Sequence, residues 1–168
     1  ENLLIGAGGS AFYGKSRLNN ALSGMKGTLS AAFIPSGDGE YAEYALDALS
    51  VRRPENIYYD SLPEGCELLL GGVKKHPFEG VYESENFTVH TYRTDTGCAA
   101  YIKSEDMSLL VCLDPLADIT ALPDEAVNAD ALISRSDYPQ AVVGFDIAAV
   151  SADNLRGVAV GNELRALG

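Results

Sequence analysis

Between Leu3 and Tyr59 short apolar runs alternate with stretches of helical period, and that alternation restricts the fold more than any other feature of the chain. Leu3 to Ile5 reads as a buried strand and Gly6 to Gly14 as a glycine-rich turn. Leu18, Leu22 and Met25 fall at i, i+4 and i+7, which predicts an amphipathic helix over 15–26 that ends near Gly27. Ala31 to Ile34 is a second strand. It is broken by Pro35-Ser36-Gly37-Asp38-Gly39, where Ser36 or Asp38 can cap the next helix. That helix presents Tyr41, Ala42, Ala45, Leu46 and Leu49 on one face and stops before Pro54, and Ile57 to Tyr59 is a third strand. The order strand, helix, strand, helix, strand predicts two right-handed crossovers on a parallel sheet.

After Pro63 the pattern changes. Glu67 to Leu70, Phe87 to Arg93, Cys98 to Lys103 and Met107 to Leu113 read as strands joined by turn residues, with Ser104-Glu105-Asp106 as a tight hairpin loop. Asp130 to Ile133 and Ile147 to Val150 are two more strands, and Val158 to Val160 with Leu164 to Leu167 form a last hairpin or frayed end. The class expected is α/β with a substantial antiparallel component, in a single domain of 168 residues.

Composition excludes several functions. A formal net charge of −12 disfavours direct binding to nucleic acid or anionic lipid, and no basic cluster exceeds a pair (Arg52-Arg53, Lys74-Lys75). No apolar run approaches the ~20 residues that span a bilayer, and no signal-peptide pattern opens the chain. The abrupt start at Glu1 suggests a piece of something longer. Cys66, Cys98 and Cys112 show no C-x-x-C spacing and read as buried thiols whose redox state stays open.

From Gly9 the chain spells G-x-x-x-x-G-K-S, the form of a phosphate-binding loop. In that reading Gly9, Gly14, Lys15 and Ser16 cradle a nucleotide's phosphates, and Asp114, ending an apolar strand, supplies the magnesium-side carboxylate. No base-reading N-K-x-D pattern accompanies it. The alternative is a turn in which Gly8, Gly9 and Gly14 give positive-φ room and Ser16 caps the following helix.

Several stretches, in order, resemble the metallo-β-lactamase fold, and most nearly the C-terminal domain of the ComEC family of bacterial competence DNA-uptake proteins. "NLLIGAGGS" is similar to that family's strand and turn L-L-I-D-x-G-G. "LSAAFIPSGDGEYAEYALDAL" is similar to the following strand, the metal-binding turn T-H-x-H-x-D-H and its helix. "TGCAAYIKSEDMSLLVCLDP" resembles the hairpin ending in the metal-bridging aspartate, "NADALISRSDYP" the strand before a histidine turn, and "FDIAAVSADN" the late strand ending in serine. The resemblance implies an αββα sandwich of mixed sheets, here without its first strands, so that a sheet edge is covered by another element or drives self-association. It also implies a soluble, outward-facing part of a membrane-embedded parent in the bacterial cell membrane, any DNA handling belonging to the parent.

The zinc chemistry of that fold requires converging imidazoles and carboxylates, and the positions that would supply them are changed. Gly6 replaces the aspartate after the first strand, and Ser36 stands at the first histidine. Glu40 replaces the aspartate, Tyr41 its neighbouring histidine, and Ser136 or Asp137 the later histidine. Asp38 lies within the altered turn, and by the resemblance Asp114 alone keeps the type of an original ligand. Of the two histidines, His76 reads as a loop residue and His90 as part of an alternating strand. The expectation is a metal-free, cofactor-free, non-catalytic domain. Asp38, Glu40 and Glu43 offer one further option, a weak calcium site at a helix start, against simple complementation of the helix's positive end. No G-x-S-x-G elbow occurs.

Overall fold

A computed structural model describes residues 1–8, 14–114, 118–134 and 147–150, and the chain divides after Gly80 into two compact units. The first holds a four-stranded, all-parallel sheet in the order β1 (Leu3–Ile5), β2 (Leu29–Ile34), β3 (Pro54–Tyr59), β4 (Lys74–His76). Every residue of β2 is buried, Ser30 included, as a strand in the middle of a parallel sheet should be. Helices α1 (Gly14–Gly24), α2 (Gly39–Ala42), α3 (Ala45–Val51) and α4 (Cys66–Leu69) intervene. The core joins Leu22, Ala48, Leu49 and Cys66 from the helices to Leu4, Ala32, Ile34 and Ile57 from the strands, with Leu18 and Met25 packed at its margin. The expected helical stripe is the one that packs.

Local reading went wrong at three places in this unit. The single helix expected after Gly39 is two, because Ala7 inserts into its backbone ladder: the Ala7 N–H donates to the Tyr41 carbonyl at 2.7 Å, and the Tyr44 N–H donates to the Ala7 carbonyl at 2.8 Å. Glu67 to Leu70 is not a strand. Gly65 adopts φ 86° and consecutive short-range bonds, Cys66 N–H to Pro63 and Leu68 N–H to Gly65, wind the run into α4. His76 is not in a loop but in β4, paired with Tyr58 across a parallel register.

The second unit carries a six-stranded mixed sheet, in the order β10 (Ile147–Val150), β9 (Ala131–Ser134), β8 (Ser108–Cys112), β7 (Gly97–Lys103), β6 (Thr88–Thr94), β5 (Gly80–Glu83). β6, β7 and β8 form an antiparallel meander, whereas β8–β9 and β9–β10 are parallel. A parallel neighbour needs a crossover; between β8 and β9 it contains a 3₁₀ turn (Ile119–Ala121) and α5 (Asp124–Val127). Ile119, Leu122 and Ala126 from that crossover close a core over Ala99, Tyr101, Leu110, Cys112 and Leu132. The expected strands lie within a residue or two of those observed, and β5 is an addition. The hairpin expected over Val158–Val160 and Leu164–Leu167 lies outside the described residues. Two sheets, one parallel and one mixed, with interspersed helices make this an α/β protein, as expected.

Candidate functional site

Ser36, Gly37 and Asp38 follow β2 in the first unit, where the resemblance places imidazoles. They close on themselves. The Ser36 hydroxyl donates to Asp38 Oδ2 at 2.8 Å and accepts from the Asp38 N–H at 3.3 Å. The Gly37 N–H donates to Ser61 Oγ at 2.9 Å. A Cβ on Gly37 would sit 2.9 Å from the Leu62 carbonyl carbon and 3.2 Å from the Pro63 nitrogen, both main-chain atoms. The Asp38 carbonyl accepts from Tyr41 and Ala42 N–H at 2.9 Å each, so Asp38 begins α2. Gly6, at the first vestigial position, holds φ 71° and donates its N–H to the Phe33 carbonyl at 2.8 Å. Tyr41 lends its carbonyl to Ala7, and Glu40 lies in α2. Ser136 and Asp137 lie outside the described residues.

Asp114, in the second unit, is 8% exposed. Its Oδ2 accepts from the Cys98 N–H at 2.6 Å. The carboxylate lies where a side chain on Gly97 would have to go: a Cβ there would stand 2.5 Å from Asp114 Cβ and 2.7 Å from its Cγ. Beyond it, the Thr96 hydroxyl oxygen accepts from the Asp118 N–H at 2.7 Å, and Asp118 Oδ1 accepts from both the N–H and hydroxyl of Thr120. Sequence reasoning found Asp114 and missed Gly97 and Cys98, which only the β7–β8 register brings to it.

The other sequence candidates have structural occupations. The Lys15 ammonium pairs with Asp47 at 2.9 Å, joining α1 to α3. Ser16 lies inside α1 and is not its cap, because the helix already runs at Gly14. Positive φ belongs to Gly6, not to Gly8 or Gly14; Gly14 instead admits the Tyr44 ring, 2.9 Å from where its Cβ would be. Gly9 lies outside the described residues. His76 stacks on Tyr58 with centroids 4.5 Å apart and sets Nε2 3.4 Å from Asn56 Oδ1. His90 lies beside Tyr92 and Tyr101. The three cysteines are buried. Burial first, then the Asp114 charge, pushes the Cys112 thiol up to about 12, and burial followed by Glu67 raises Cys66. A thiol raised in this way is a poor nucleophile near neutrality.

One feature the sequence did not announce is an open groove of about 480 Å³ between the β7–β8 hairpin and α5, lined by Tyr101, Lys103, Glu105, Asp106, Glu125 and Asp130 among others. The Lys103 ammonium bridges to Glu125, which also accepts from the Tyr101 hydroxyl at 3.4 Å; Lys103 chiefly holds that carboxyl below its usual range. Asp130 is lowered by the Ser108 hydroxyl and N–H, both at 2.7 Å. The acidic pairs at 105–106 and 124–125 were the legible signal, but their meeting depends on the crossover.

Zinc is the group the fold resemblance implies. Hydrolytic zinc sites take imidazole nitrogen, thiolate and carboxylate with one position open. Here the matching positions hold no imidazole: Ser36 and Asp38 bond to each other, Gly6 has no side chain, Glu40 and Tyr41 follow in α2, and the Asp114 carboxylate accepts from Cys98. Among the described residues no three His, Cys, Asp or Glu side chains gather in a metal-holding group. The described donors lack the imidazoles a hydrolytic zinc site takes, and among the described residues no metal-holding group of three includes Asp38.

The α/β make-up with two sheets agrees with a metallo-β-lactamase-like fold. Among solved structures the chain is similar to Zn(2+)-bound PqqB from Methylobacterium extorquens, with a TM-score of 0.49 and 16% identity over 79% of this chain. It spans about half of that protein's length, 52%. No protein-family model matches the chain, and no curated protein does.

Proposed function

We propose that this chain is a metal-free, non-catalytic metallo-β-lactamase-like domain, with a scaffolding or recognition role in a membrane-embedded, competence-type DNA-uptake protein. The observation that carries the non-catalytic part is the turn at Ser36–Asp38. Its hydroxyl and carboxylate satisfy each other, and its middle residue has no room for a side chain. A turn built in this way has no imidazole to offer, and its hydroxyl and carboxylate are turned toward each other. The parentage rests on the sequence resemblance. Among the described residues no helix is long and apolar enough to cross a membrane, so in this reading membrane attachment and DNA handling belong to other parts of the parent.

Metal analysis and melting curves test the reading together. The purified protein should hold no stoichiometric zinc, and its melting temperature should be the same with EDTA or excess zinc. A specific site at a hundredfold excess over its dissociation constant would instead add about 2.7 kcal/mol. Stoichiometric zinc with hydrolysis of a phosphodiester would overturn the proposal. Duplex DNA labelled for anisotropy should not bind at physiological salt; binding would place DNA recognition in this chain. Apolar spans of about 20 residues encoded beside it are expected of the parent.

A further inference from the structure

We infer that Asp114 is a structural latch: its carboxylate fixes the start of β7 and, through the adjoining turn, Asp118 in the crossover to β9. A bound metal fixes such loops by coordination; here main-chain donors do so. The buried Oδ2 takes the Cys98 N–H at 2.6 Å. The neighbouring pair is closed by the Leu113 N–H donating to the Cys98 carbonyl at 2.9 Å. A charged acceptor on a buried amide is stronger than a neutral one, and removing it strands a main-chain donor in the interior. Gly97 belongs to the same device, because any side chain there would overlap the Asp114 carboxylate. Its φ is not positive, so the requirement for glycine is one of space rather than backbone conformation.

From Gly97 the bonding continues. The Thr94 hydroxyl donates to the Gly97 carbonyl at 3.1 Å, and Thr96 accepts from the Asp118 N–H. Asp118 in turn caps the 3₁₀ turn through Thr120. Carboxylate, glycine and two threonines thus tie together Asp114, which follows β8, the 94–97 turn and Asp118 in the crossover. This rests on the metal-free reading, in which the Asp114 carboxylate serves a main-chain amide, but it is tested separately.

Variants at Asp114 and Gly97, read at one amide, decide it. In Asp114→Ala, hydrogen exchange at the Cys98 amide should quicken roughly ten- to a hundredfold, and the melting temperature should fall by roughly 4–10 °C. Asp114→Asn keeps an acceptor oxygen of the same shape and should retain most of the Cys98 protection; it also carries the test if the alanine variant fails to fold. Gly97→Ala should be destabilising, and less so in an Asp114→Gly background, where the overlapping atoms are gone. Each protein is measured with zinc and with EDTA. Unchanged Cys98 exchange in Asp114→Ala would overturn the latch. Zinc stabilising the parent but not Asp114→Asn would overturn the metal-free reading instead.

Discussion

A glycine is informative here only where atoms crowd it, and two positions give opposite predictions. Gly37 has main-chain atoms of Leu62 and Pro63 2.9–3.2 Å from where a Cβ would stand. Those atoms cannot rotate away, so Gly37→Ala should cost about 1–3 kcal/mol. Gly24, the last residue of α1, has nothing within 4 Å of that point and no positive φ. Gly24→Ala should therefore be neutral or stabilising by about 0.4–1 kcal/mol, through loss of unfolded-state freedom. Urea denaturation of both variants is the check. Equal effects, or a tolerated alanine at 37, would mean that the turn is not closed as described.

At the scale of elements, α1 shows which kind of contact holds a helix in place. Its ion pair to α3, Lys15–Asp47, joins side chains 56% and 38% exposed. Such a pair contributes about 0–1 kcal/mol. Leu22, on the opposite account, is 2% exposed within the first core, and Leu22→Ala should cost about 2–5 kcal/mol. Lys15→Ala should thus barely move the melting temperature, and neither parent nor variant should respond to ATP with magnesium. Clear nucleotide stabilisation abolished in Lys15→Ala would restore the phosphate-loop reading. Thermal melts of the two variants measure both points.

The same helix shows what the sequence made legible. Leu18, Leu22 and Met25 announce α1 because its face is set by a local period. β4 escapes such a reading because Lys74-Lys75-His76 is polar and owes its place to pairing with β3. The break between α2 and α3 is equally hidden, since its cause is Ala7, more than thirty residues earlier. At the candidate site the substitutions were legible one by one: serine at 36, glutamate at 40, tyrosine at 41. What they do instead was not. Asp114 finds its amide partner sixteen residues away, across a hairpin whose register no local pattern states.

For the whole molecule the decisive quantity is how its charges respond to pH. Glu67 is held low chiefly by the Lys75 ammonium at 2.6 Å, Glu125 by Lys103, and Asp130 by Ser108. A lowered folded-state value means stability that is present above the unfolded value, about 4 for such carboxyls, and lost as pH falls through the folded one. The acid limb should therefore lie below about pH 4. The sign is reversed on the other side. Burial and the Glu67 bond raise the Tyr59 phenol to about 12, and burial raises the Cys112 thiol to about 12. Stability from a raised group is complete below its unfolded value, about 8.5 for a thiol, and is lost as pH rises through the folded one. Ionisation there also adds to a net charge already at −12, so self-repulsion deepens the alkaline limb and salt should relieve it. The urea midpoint should form a plateau from about pH 5 to about pH 8, bounded by these limbs. Cys112→Ala lowers the plateau by opening a cavity, but should begin its alkaline decline at higher pH than the parent. A decline unchanged by that substitution would show that Cys112 is not the group whose burial sets the limb.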